Sequence, residues 1–80
     1  MPGGLTRAFG DAMKAARTQR GMSQEELGNR AGLHRAHIGE IERGEISPTL
    51  DSLQAIAHAL GLPPSELLAS AESQPDAGSA

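Results

Sequence analysis

The sequence has no cysteine, tryptophan, tyrosine or valine, and Phe9 is its one aromatic residue. Each absence closes a class of protein. Without cysteine there is no disulfide framework, no thiolate zinc site and no cysteine nucleophile. Strands have little support, because valine is missing and no segment alternates apolar with polar residues at length. No apolar run approaches the roughly 18 residues needed to span a membrane. The opening Met-Pro-Gly-Gly-Leu-Thr-Arg lacks the hydrophobic stretch of a secretory leader. A soluble, cytoplasmic chain with no membrane association is expected.

Basic residues are also missing from the second half. Arg7, Lys14, Arg17, Arg20, Arg30, Arg35 and Arg43 all lie within residues 1–43, beside five acids, which leaves that part at +2. Residues 44–80 carry five acids and no Lys or Arg. The net charge of −3 taken alone predicts repulsion from nucleic acid. Its distribution permits one positive face on an acidic molecule, a pattern that accompanies nucleic-acid contact. Eighty residues make one domain at most. A chain of that size buries only about 60% of its unfolded surface, which leaves little room for an enclosed active site.

What is present is helical punctuation. Gly21, Gly32, Gly44 and Gly61 each follow a helix-periodic stretch, where a left-handed C-terminal cap favours a residue without a Cβ. The first helix is expected over residues 5–20, with Leu5, Phe9, Met13 and Ala16 on one apolar face. Ser23-Gln24-Glu25-Glu26 reads as a capping box, with Ser23 closing on the third amide and Glu26 reaching back. Met22 and Leu27 sit at the positions of a hydrophobic staple. That second helix ends at Gly32, and a third follows over 35–43 with Ile38 and Ile41 inward. Thr49 is a plausible N-cap for a fourth helix striped by Leu53, Ile56, Ala57 and Leu60. Pro64 suits the first turn of a short fifth carrying Leu67 and Leu68. The expected domain is residues 1–71, with its core over about 5–69 and a flexible polar tail over 72–80.

The stretch Arg-Thr-Gln-Arg-Gly-Met-Ser-Gln-Glu-Glu-Leu-Gly-Asn-Arg-Ala-Gly-Leu from Arg17, then Ile38-Gly-Glu-Ile-Glu-Arg-Gly and Ser-Pro-Thr-Leu-Asp-Ser-Leu, closely resembles the phage repressor and Cro-type (XRE) helix-turn-helix family. The likeness covers residues 7–68. It implies an all-α, five-helix, lambda-repressor-like domain whose second and third helices form the helix-turn-helix. It also implies a transcriptional regulator, a dimeric repressor type reading a palindromic operator on double-stranded DNA, and not an enzyme. Gly28 departs from the alanine usual in the family; it still allows close helix contact, at a cost of about 1 kcal/mol of helix propensity. His34 stands where the family often carries a Ser or Thr cap.

By that resemblance the third helix enters the major groove with Arg35, Ala36, Gly39 and Glu40 toward base edges. Arg35 is the strongest reader, since a guanidinium can donate twice to guanine O6 and N7. Glu40 can accept from cytosine N4, or simply repel phosphate. Gln24, at the amino end of the second helix, resembles the family's phosphate anchor. Arg43, Thr49 at the amide end of the fourth helix, and the histidines His34 and His37 complete the phosphate candidates. The family pairs the equivalents of Arg17 and Glu42, which assigns those two to architecture.

Other readings are weaker. His34 and His37 could share a helix face with Glu40 or His58 as further metal ligands, but no third ligand has convincing spacing. No metal or cofactor is expected. Nucleophile motifs, phosphate-binding glycine loops and paired inward carboxylates are missing. The rival from another class is a protein-interaction module on the same fold, an antitoxin or coactivator-like adaptor with an unknown protein partner at its acidic half. Helix five, with Leu62, Leu67 and Leu68, is the expected homodimer contact.

Overall fold

A computed structural model of the chain describes residues 4–74 and contains five helices, with no strand among them. They are α1 (Gly4–Gln19), α2 (Gln24–Ala31), α3 (Arg35–Glu42), α4 (Leu50–Ala59) and α5 (Pro64–Glu72). The all-α, five-helix expectation holds, and each boundary lies within a residue or two of the sequence reading. Gly21, Gly32, Gly44 and Gly61 all adopt positive φ, between 68° and 77°. Gly32 closes α2 with its own N–H on the Gly28 carbonyl, and the Leu33 N–H reaches the same oxygen at 2.8 Å. That double closure turns the chain sharply from α2 into α3.

The caps show which local signals were right. Ser23 Oγ accepts from the Glu26 N–H at 2.9 Å, and Thr49 Oγ1 accepts from the Ser52 N–H at 3.0 Å. The capping box is only half formed, however. Glu26 does not reach back, because its carboxylate accepts from Arg30 at 2.7 Å one turn further along. Pro64 occupies the first turn of α5, as its missing N–H allows.

α1 lies against α5 and α3, α2 against α3 and α4, and α4 against α5. Met13, Leu27, Ile38, Ile41, Ile56 and Leu67 are fully buried where these helices meet. Removing each such side chain from water contributes about 1.5–3 kcal/mol. Leu5 corrects the expected α1 stripe. It is 43% exposed, at the end of α1 beyond Phe9, where it only borders a shallow recess with Pro48, Leu53 and Leu68. Leu67 corrects the expected dimer contact, since full burial leaves it nothing to offer a partner.

Residues 72–74 of the expected flexible tail are described together with α5. Glu72 is helical, Ser73 caps α5, and the Gln74 side-chain amide donates to the Ala8 carbonyl at 3.2 Å, which ties the end of α5 to α1. The rest of the expected flexible segment, 75–80, lies outside the described residues.

Candidate nucleic-acid interface

The two short helices are held by one buried carboxylate. Glu42, at the last turn of α3, is 5% exposed and takes both ends of the Arg17 guanidinium from α1. Arg17 Nε donates to Oε2 at 2.6 Å and Nη2 to Oε1 at 3.0 Å. Arg17 Nη1 also donates to the Met22 carbonyl at 2.7 Å, just before α2. The pair expected for architecture is therefore present, and it fastens three elements at once. Close backbone approach makes it possible. At Gly10 the α1 backbone runs against α3 so tightly that a Cβ would meet the Ile41 carbonyl and sit 2.7 Å from the Glu42 carbonyl.

With α3 fixed at its rear, its outer face is open. Gln24, Arg35, Ala36, Gly39, Glu40 and Arg43 line one shallow concavity of about 390 Å³ between the start of α2 and the outside of α3. Arg35 is exposed and has no hydrogen-bond partner among the described residues, so its guanidinium is available. Ala36 beside it is exposed, and Glu40 is half-buried. Glu40 Oε1 stands 3.7 Å from His37 Nδ1, an attraction that operates only when the imidazole is protonated.

At three candidates, neighbouring groups occupy part of the side chain or its surroundings. Gly39 faces the concavity from beneath neighbouring side chains. It is buried on the floor of the concavity, and a Cβ there would lie 3.0 Å from Arg43 Nη1 and 3.6 Å from the Gln24 oxygen. Two long side chains, those of Arg43 and Gln24, thus lie over it. Arg43 is exposed but engaged, with Nε donating to Glu45 at 2.7 Å and Nη2 at 3.3 Å. The hydrogen bond between them lowers the Glu45 pKa from its ordinary value and raises that of Arg43. Thr49 spends its hydroxyl on Ser52, so only the backbone end of α4 is free there.

His34 and His37 lie outside the concavity. His34 is exposed and precedes α3 without a side-chain capping bond, as the sequence suggested. Among the described residues, no three His, Asp or Glu side chains gather as a group that could hold a metal ion. Sequence reasoning missed three contributors. Arg20 clamps the Leu60 carbonyl at 2.6 Å, Glu45 engages Arg43, and Gln24 Nε2 donates to Glu42 Oε1 at 2.9 Å. A glycine inside an otherwise strong helix, at Gly10, gave a readable hint of close packing.

A helix, a tight glycine-closed turn and a second helix with its outer face bare define a helix-turn-helix protein. The chain belongs to the helix-turn-helix family, whose pattern matches residues 13–67. It is 50% identical over 50 residues to the uncharacterised HTH-type transcriptional regulator y4dL of Sinorhizobium fredii, covering 62% of this chain and 26% of that protein. It thus spans about a quarter of that relative's length. It is 38% identical over 69 residues to the control protein C.BamHI of Bacillus amyloliquefaciens, covering 85% of each. Among solved structures it superposes on the restriction-modification controller protein C.AhdI of Aeromonas hydrophila with a TM-score of 0.75 and 38% identity, covering 79% of this chain and 94% of that one.

Proposed function

We propose that the protein is a sequence-specific DNA-binding transcriptional regulator that places α3 in the major groove. The observation that carries this reading is the concavity gathering Gln24, Arg35, Ala36, Glu40 and Arg43 on one open face. A regulator of the restriction-modification and phage type is consistent with the relatives, which include a control protein and the immunity repressor protein of Bacillus phage phi105. Arg35, Ala36, Gly39 and Glu40 face bases in this reading. Gln24, His34, His37, Arg43 and the amide end of α4 at Thr49 face phosphates, which fix register but carry no sequence information. The activity is binding, with no catalytic step. No helix among the described residues is long and apolar enough to cross a membrane, which accords with a cytoplasmic regulator.

One such module covers only about 600–1,000 Å², so a homodimer on a palindromic operator completes the proposal. The deciding experiment is selection from a randomised duplex pool followed by gel-shift titration. Enrichment of one short motif supports the regulator. Absent or featureless binding overturns it and leaves a protein-interaction module on the same fold.

A further inference from the structure

Gln24 is the one residue of the concavity whose side chain is tied to the buried network behind it. Its Nε2 lies 2.9 Å from Glu42 Oε1, the oxygen that also accepts from Arg17 Nη2 at 3.0 Å. An ionised carboxylate can only accept, so the inward atom of the Gln24 amide must be its nitrogen. The carbonyl oxygen and the second N–H are then the atoms left for the open side. The Gln24 amide also rests over Gly39, where a Cβ would lie at ordinary contact distance from it, 3.6–3.7 Å. Arg17 leaves Glu42 nowhere to turn, because both carboxylate oxygens are engaged.

We propose that Glu42 is a positioning residue for DNA recognition, fixing the Gln24 amide in one orientation before the duplex arrives. The inference rests on the DNA-binding reading above and adds to it. The ion pair does more than join helices. Through a single oxygen it carries the order of the buried network out to the first residue of α2. A free glutamine loses rotamer freedom when it binds, and a held one has already lost it.

The test has two parts. In the free wild-type chain, proton exchange of the Gln24 side-chain amide is measured by NMR against Gln19 and Gln54, both exposed. Slowed exchange at Gln24 alone is expected, and exchange as fast as in the other two overturns the proposal. The second part measures affinity for the duplex that the wild type enriches from a randomised pool. Gln24→Ala is compared in the wild type and in an Arg17→Met plus Glu42→Leu background, which removes the clamp without stranding a buried charge. Gln24→Ala is expected to weaken binding about two- to tenfold in the wild type, the range that ordering one side chain implies. In the double variant it should change affinity little. Equal losses in both backgrounds, or no loss in the wild type, overturn the positioning role. Failure of the DNA reading shows separately, as a wild-type chain that enriches no duplex, and the exchange measurement stands even if the double variant does not fold.

Discussion

At the scale of the residue, the buried pair behind α3 and the exposed pair just after it act in opposite senses. Arg17 and Glu42 are desolvated and hydrogen-bonded at 2.6 and 3.0 Å, so removing one partner strands the other. Arg17→Met should therefore cost about 3–5 kcal/mol, read as a lowered denaturant midpoint. An unchanged midpoint would show that the carboxylate finds water or a new partner. Arg43 and Glu45 are both more than half exposed, and such pairs contribute little to stability. Their interest is competition, since any phosphate reaching Arg43 must displace Glu45. The folded pKa of Glu45 is depressed, so the pair persists at neutral pH and loosens as pH falls through that lowered value. Glu45→Gln should raise affinity for all duplexes alike, and the gain should vanish when Arg43 is Ala. Arg35 has no such competitor. Arg35→Ala should cost about 1–3 kcal/mol on the preferred duplex and flatten preference at one base pair. Arg43→Ala should weaken every sequence equally and lower the salt slope by about one counterion. Equal, sequence-independent losses for both would leave Arg35 as another phosphate clamp and move base reading to Ala36, Gly39 or Glu40.

At the scale of the element, the turn between α2 and α3 depends on a glycine whose cost in helix propensity is misleading. An alanine at Gly28 gains about 1 kcal/mol of propensity, yet its Cβ would lie 2.5 Å from the Leu33 carbonyl and 3.3 Å from the Arg35 nitrogen. The turn folds back onto α2 there, so the backbone itself must shift. Gly28→Ala should therefore destabilise by about 1–3 kcal/mol, as overpacking does, and should disturb the start of α3. A raised thermal midpoint would show that the turn gives way easily. The same contrast explains what the sequence could tell. Ser23, Thr49 and the four capping glycines were legible because their partners lie within a few residues. The core positions on Leu27, Ile38, Ile41 and Ile56 were legible through periodicity. Gly28 was legible as a place of close contact at a cost in propensity, but the group it meets was not, because that carbonyl arrives through the turn. The cover over Gly39 and the exposure of Leu5 depend on how helices lie against one another. Arg20, whose acceptor at Leu60 is 40 residues away, has no local signature at all.

At the scale of the molecule, few of the basic side chains are left without a partner at the concavity. Arg17, Arg30 and Arg43 are matched with Glu42, Glu26 and Glu45, and Arg20 is spent on the Leu60 and Ala16 carbonyls. The free positive charge at the concavity is therefore essentially Arg35, too little for one module to hold a polyanion tightly. Two modules on one duplex double the phosphate contacts and the area, which is the physical reason to expect a twofold dimer with half-sites about 34–36 Å apart. With Leu67 buried, the contact must use other apolar groups, and the exposed ones are Leu5 at 43% and Leu50 at 81%. Half-buried Leu62 and Leu68 remain from the original expectation. Sedimentation of the full chain, free and on the selected duplex, should reveal two chains per duplex. Inserting about five base pairs between the half-sites rotates them by half a helical turn, and binding should fall toward that of a single half-site. A chain that stays monomeric at high micromolar concentration and on DNA, with affinity indifferent to the spacer, would show that one module suffices. The positive charge would then have to come from Arg43, Arg30 and the histidines on contact with the duplex.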